Sequence, residues 1–212
     1  NAATGKVEQV MGDDKKPRLV TAKDFEYGFL RPLDPKNASP YAYVLSAFLK
    51  GADAYNSADL KKTSDDDLKK LRAAVGVKAV DDWTIEFTLL EPSGFWPAVA
   101  GMWVGRAQPQ WIIDEKGDRW TETGFQQSYG PYTMKEWVHD SKITLVANPF
   151  WPGTSNIPKP KIDEINWTML DEPPAMANYE TGKLDVAAVP LADMDRVRAD
   201  AKLSKELKIA PV

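Results

Sequence analysis

Residues 128–151 read SYGPYTMKEWVHDSKITLVANPFW, and this stretch decides how the chain is organised. Two runs of alternating residues flank a polar His139-Asp140-Ser141 turn, which is the pattern of two paired strands. Tyr132, Met134 and Glu136 are expected on one face of the first run. In the second, Ile143, Leu145 and Ala147 alternate with Thr144, Val146 and Asn148. Gly130-Pro131 punctuates the approach to the hairpin, and Asn148-Pro149 ends the pairing. The residues before this stretch read as one α+β unit and those after it as a second, shorter one. The hairpin is expected where the chain crosses between two lobes.

Upstream, Thr21 is a good N-cap, with Asp24 completing a capping-box pair. The helix it starts carries Phe25 and Phe29 on one face and is expected to stop at Pro32 and Pro35. A second helix follows Ser39-Pro40, with Val44, Phe48, Ala52 and Tyr55 repeating at helical spacing. Ser64 with Asp67 restarts a helix whose Leu68, Leu71 and Val75 face inward, and Gly76 ends it. Residues 77–89 are the clearest hairpin. Trp83, Ile85, Phe87 and Leu89 alternate with Thr84, Glu86 and Thr88, so one face is expected to be covered. Short helical turns are expected in 95–104 and 108–117, then a polar loop over 118–127.

Downstream, a Pro- and Gly-rich loop reaches Pro160. Residues 161–170 alternate as a strand, with Ile162, Ile165, Trp167 and Met169 apolar. A helix over 175–181 closes at Gly182. Short strands are expected at 184–189 and 207–212, with a polar helix at 193–201 between them. This strand–helix–strand order favours an α/β sheet lobe. Residues 1–16 read as a loose arm, and Asn1-Ala2 as a cloning scar.

Composition narrows the function. With 43 % apolar and 27 % charged residues, the 212-residue chain is of ordinary globular composition. Its net charge of −4 and pI near 5.2 offer no basic stripe for a phosphate backbone, so nucleic acid is not an expected partner. No apolar run is long enough for a membrane helix. The chain has no cysteine, which removes disulfides, thiolate nucleophiles and cysteine metal sites. Its one histidine, His139, sits in a predicted turn, where a solvated role is expected. Asp65-Asp66-Asp67 lacks the glycine and distal glutamate of a calcium loop and reads as a solvated helix start. No phosphate-cradling glycine loop or nucleophile elbow is present, and no metal or cofactor is expected. All eight tryptophans fall between Trp83 and Trp167. Trp83 and Trp167 are expected in the core from their alternation. Trp96, Trp103, Trp111 and Trp151 lie beside proline or glycine or in irregular segments, where core and cleft roles are both open.

Six segments together resemble the family 5 extracellular solute-binding proteins, the oligopeptide- and dipeptide-binding components of ABC importers. They are VTAKDFEY (20–27), LDPKNASPYAY (33–43), GVKAVDDWTIEFTL (76–89), GPYTMKEW (130–137), NPFW (148–151) and YETGKLDV (179–186). The oligopeptide binders are the nearest subfamily, through the Ala-Ser-Pro-Tyr-Ala segment. The resemblance implies a mixed α+β and α/β chain. That chain would be part of a periplasmic-binding-protein-like (type II, cluster C) two-lobed fold that closes on its ligand by a hinge. It implies that 17–119 is the extra small subdomain of peptide binders and 120–212 part of the first lobe. Family members are considerably longer, so the chain is expected to be a fragment.

The implied protein is a monomeric, non-enzymatic carrier in the periplasm, or a cell-surface lipoprotein. It takes peptides or another small solute and delivers them to a membrane ABC permease. By position, Tyr41 matches a family tyrosine at the cleft, and Met102-Trp103 falls where the family places a pocket wall. Tyr129, where many members have a small or amide residue, is expected to narrow the cleft. Tyr41 also reads as an exposed first-turn helix residue, and Met102 and Trp103 as plain subdomain core. Two alternatives stay open. The same scaffold could hold an oligosaccharide. The other is a carbohydrate-active enzyme or its aromatic-lined binding module, and a buried carboxylate pair ~5–10 Å apart in a tryptophan-lined groove would support the enzyme.

Overall fold

The computed structural model describes residue 4 and residues 6–210. Asn1-Ala2, and the last two residues of the expected strand at 207–212, lie outside them. The chain divides into two compact units. One runs to Gly130 and includes Pro149–Pro152; the other comprises Pro131–Asn148 and the residues from Gly153 onward.

In the first unit, α1 (Ala22–Leu33) begins where Thr21 N–H donates to Asp24 Oδ2 at 2.8 Å. Pro32 does not stop it. The φ of proline is itself helical, so Pro32 removes one backbone donor and the helix runs on to Leu33. The single helix expected after Pro40 is two, α2 (Ala42–Ser46) and α3 (Ala52–Asn56). They part at Gly51, whose φ of 72° is left-handed. A Cβ there would also lie 2.6 Å from the Ala74 carbonyl oxygen. The break shifts the buried stripe to Leu45, Leu49, Ala52 and Tyr55, while Val44 and Phe48 pack at its edge.

Helix α4 (Asp65–Ala73) is capped by Ser64 Oγ, which accepts from Asp67 N–H at 3.1 Å. Strands β1 (Val77–Ala79) and β2 (Ile85–Phe87) pair antiparallel, with Val77 opposite Phe87 and Ala79 opposite Ile85. Trp83 is not core: it is 72 % exposed. The carboxylate of Asp81 accepts its backbone N–H at 2.7 Å, which draws Trp83 into the turn before the strand alternation starts. Helices α5 (Trp96–Ala100) and α6 (Gln110–Lys116) follow, with a 3₁₀ turn at Trp103–Gly105 between them. Phe29, Phe87 and Trp96 form the aromatic centre of the core, Phe87 meeting each of the other two edge to face at 5.0 Å. Near the start of the chain, residues expected as a loose arm close a tight turn in which Arg18 N–H donates to Val10 O, and the Arg18 guanidinium lies 4.9 Å over the Trp111 ring.

The second unit is built on an antiparallel sheet of β3 (Tyr132–Val138), β4 (Lys142–Ala147) and β5 (Glu164–Thr168), in that order. Tyr132 pairs with Ala147 and Met134 with Leu145, but the register then slips and Trp137 pairs with Ile143. A bulge at Lys135 therefore moves Glu136 off the expected face and puts Trp137 in its place. Glu136 instead meets Lys142 at 2.8 Å. The buried position of the sheet is Thr144, 2 % exposed, with its hydroxyl on Asn166 Oδ1 at 2.8 Å. Trp167, expected in the core, is 68 % exposed because it stands near the end of β5, an edge strand with no neighbour beyond it in the sheet.

Helix α7 (Glu172–Glu180) ends at Gly182 in the left-handed region, as its sequence predicts. It packs Met176 against Val197 of α8 (Met194–Ala199) and Leu203 of α9 (Leu203–Glu206). The strands expected at 184–189 and 207–212 are not formed among the described residues. A strand needs a neighbour for its ladder, and these segments have none alongside. Val189 and Leu207 pack on the small helical core instead. Among the described residues no helix is long and apolar enough to cross a membrane.

Candidate functional site

The segment 102–108 is mounted on α1 by two glycines. A Cβ on Gly105 would fall 2.5 Å from Cζ of Phe29, so the turn lies flat on that ring. A Cβ on Gly28 would fall 2.1 Å from the Arg106 carbonyl oxygen, so the next residue lies directly on the helix. Gln108 N–H donates to Asp24 O at 3.0 Å, and Arg31 Nη1 to Gln108 Oε1 at 3.4 Å. The side chains this segment displays are thus carried on a fixed backbone.

Around it stand the residues singled out from the sequence. Tyr41, the N-cap of α2, meets Trp103 edge to face, with ring centroids 4.5 Å apart and planes at 87°. Met102 is the residue next to Trp103. Tyr129 comes to the other end of the segment, with its hydroxyl toward the backbone N–H of Ala107. Burial pushes this phenol above its usual pKa, opposed by the positive charge of Arg106. All four stay accessible: Tyr41 is 45 %, Met102 38 %, Trp103 52 % and Tyr129 46 % exposed. Large aromatic groups held in one geometry and half open to solvent can stack on or clasp a ligand. None of them is core, the alternative that the sequence left open for Met102 and Trp103.

Arg106 was not singled out from the sequence. It is exposed, and it forms no ion pair among the described residues. One signal could have found it: it is the only charged residue between Glu91 and Asp114.

Two depressions lie away from these residues. One, about 210 Å³, is lined by Val20, Phe25, Trp83 and neighbours in the first unit. The other, about 420 Å³, lies between α7 and α8–α9. Several of its polar groups are already engaged, since Arg196 donates to Asp193 and Glu180, and the Tyr179 hydroxyl donates to Glu206 at 2.7 Å. It is a largely polar seam between helices. His139 stacks on Trp137 at 4.2 Å beside the β3–β4 turn. Among the described residues no group of three or more His, Asp or Glu side chains is placed to hold a metal ion.

The chain is similar to known proteins in sequence and fold. A family model described as bacterial extracellular solute-binding proteins, family 5 Middle, matches residues 18–211. The dipeptide-binding protein DppE of Bacillus subtilis (strain 168) is 34 % identical over 191 residues, 84 % of this chain and 32 % of the relative. The periplasmic oligopeptide-binding protein OppA of Escherichia coli (strain K12) is 32 % identical over 170 residues, 79 % of this chain and 29 % of the relative. Among solved structures, the substrate-binding domain of an oligopeptide ABC transporter from Bacillus anthracis str. Ames superposes with a TM-score of 0.71 at 25 % identity, covering 92 % of this chain and 38 % of that one. The fold is part of the type II two-lobed architecture of these binding proteins. The chain spans about a third of the length of the curated relatives it matches.

Proposed function

The chain belongs to the bacterial extracellular solute-binding proteins of family 5, and we propose on that footing that it is part of a carrier that captures peptides outside the cytoplasm and delivers them to an ABC permease. The observation that carries this reading is the Tyr41–Trp103 pair, held edge to face and half exposed, with Met102 next to it in the chain and Tyr129 at the other end of the segment. Rigid aromatic groups supply contact area without demanding one ligand shape. That suits a carrier whose ligand is held by its main chain and whose side chains vary. The names of the relatives, dipeptide- and oligopeptide-binding, support the same solute class.

In this reading the protein works as a monomer in the periplasm or on the cell surface, and binds without converting its ligand. Residues 17–119 are the small subdomain of peptide binders, and 120–212 are part of the first lobe. The change of compact unit at Gly130–Pro131 falls inside that second segment. The test is native mass spectrometry on the full-length protein purified without refolding. A spread of adducts with the masses of short peptides is expected; a single sugar-like mass would overturn the solute class.

A further inference from the structure

Arg106 stands alone as a charge. From Pro92 to Ile113 every other residue is uncharged, in a chain where 27 % of residues carry a charge. Solvated arginines on protein surfaces sit among mixed charges. This one projects from an apolar, aromatic segment and has no carboxylate partner among the described residues. Its backbone is fixed as well, with its carbonyl laid against Gly28 and its N–H directed to Trp103 O. Trp103 lies three residues before it on the same segment, and the positive charge of Arg106 reaches the Tyr129 phenol.

We propose that Arg106 is a specificity-determining residue of the aromatic surface, selecting ligands that present a carboxylate side chain beside it. The proposal rests on the reading of that surface as the capture site. The guanidinium is a planar fork that matches a carboxylate with two parallel hydrogen bonds, and such charge-assisted bonds are stronger than neutral ones. A peptide laid over this aromatic segment would displace water from the pair and lower the local dielectric, so the attraction would be screened less than at an open surface. The ligand class is therefore a peptide with a glutamate or aspartate at the position that reaches Arg106.

The experiment is calorimetry on the full-length protein with a series of short peptides, glutamine replaced by glutamate at one position at a time. At one position the glutamate peptide is expected to bind roughly three- to tenfold tighter than its glutamine twin. That preference is expected to shrink as salt is raised, and to vanish in R106Q, which is expected still to bind glutamate and glutamine peptides, now about equally. If the native protein shows no glutamate preference at any position, the proposal is overturned whether or not the variant folds. A preference that survives in R106Q overturns it equally, and in both cases capture by the aromatic surface stands. If no peptide of the series binds the native protein, the capture reading fails and takes this proposal with it.

Discussion

The carbonyl oxygen of Arg106 lies so close to Gly28 that a Cβ on that glycine would sit 2.1 Å away. No side chain fits between α1 and the segment that carries Trp103. Gly28→Ala is therefore expected to push the two apart and to destabilise the first unit by about 1–3 kcal/mol, the usual range for overpacking. Gly94→Ala is the control, because nothing lies within 4 Å of a Cβ there. It is expected to change stability by less than about 0.5 kcal/mol. Urea unfolding of both variants checks the contrast. Equal stability of the two would mean that the helix and the segment are not held in contact.

Tyr41 separates binding from stability. Its ring meets Trp103 at 4.5 Å yet is 45 % exposed. In the full-length protein, Tyr41→Ala is expected to weaken peptide binding while lowering the melting temperature by no more than a few degrees, which corresponds to about 1 kcal/mol or less. Calorimetry and a thermal melt on the same sample check this. A large fall in melting temperature would make Tyr41 a core residue instead.

Tryptophan exposure gives a second contrast. Trp96 is buried against Phe29, Phe87 and Phe48, whereas Trp83 stands out from the β1–β2 turn. Trp96→Ala is expected to cost about 3–5 kcal/mol. Trp83→Ala is expected to stay within about 0.5 kcal/mol. Denaturant midpoints decide it, and a large loss at Trp83 would return that residue to the core.

Both tryptophan misreadings show what sequence periodicity carries and what it lacks. The hairpin at 131–148 was legible because alternation and turn residues agree there. Its bulge was not: one inserted residue, Lys135, leaves the composition of the strand unchanged while exchanging Glu136 for Trp137 on a face. At Trp83 the alternation continues, but a side chain two residues back captures the backbone and begins a turn. Alternation likewise suggested strands at 184–189 and 207–212, though a ladder depends on a partner that local pattern does not supply. The break at Gly51 was hidden because apolar spacing carries on across it. At the site, Tyr41 and Trp103 came from resemblance to a family rather than from pattern. Arg106 was overlooked because a single surface cation draws notice only when its uncharged surroundings are read with it.

The outer edge of the second unit's sheet is expected to be acid-sensitive through Glu164. Lys135 Nζ donates to Glu164 Oε2 at 2.7 Å, and Asn166 donates to Oε1 at 3.1 Å. The hydrogen bond from Lys135 foremost, and then that from Asn166, holds the Glu164 carboxyl below its usual pKa. The same pair, through hydrogen bond and charge, holds the Lys135 ammonium above its own. A carboxyl with a depressed pKa in the folded state contributes stability that is fully present above the unfolded value, about 4.3, and is lost as pH falls through the folded value. The lysine, with a raised pKa, contributes stability that is full below about 10.4 and is lost as pH rises through its folded value. The pair therefore contributes fully between these limits. Glu164→Gln is expected to lower the urea midpoint modestly at pH 7, since both partners are exposed and screened. The gap to the native protein is expected to close as pH falls below about 4, where the native carboxyl also becomes neutral. Raising salt at pH 7 is expected to narrow it too. A gap that stays constant from pH 7 down to pH 3 would show that Glu164 acts through packing or neutral hydrogen bonds, and not through its charge.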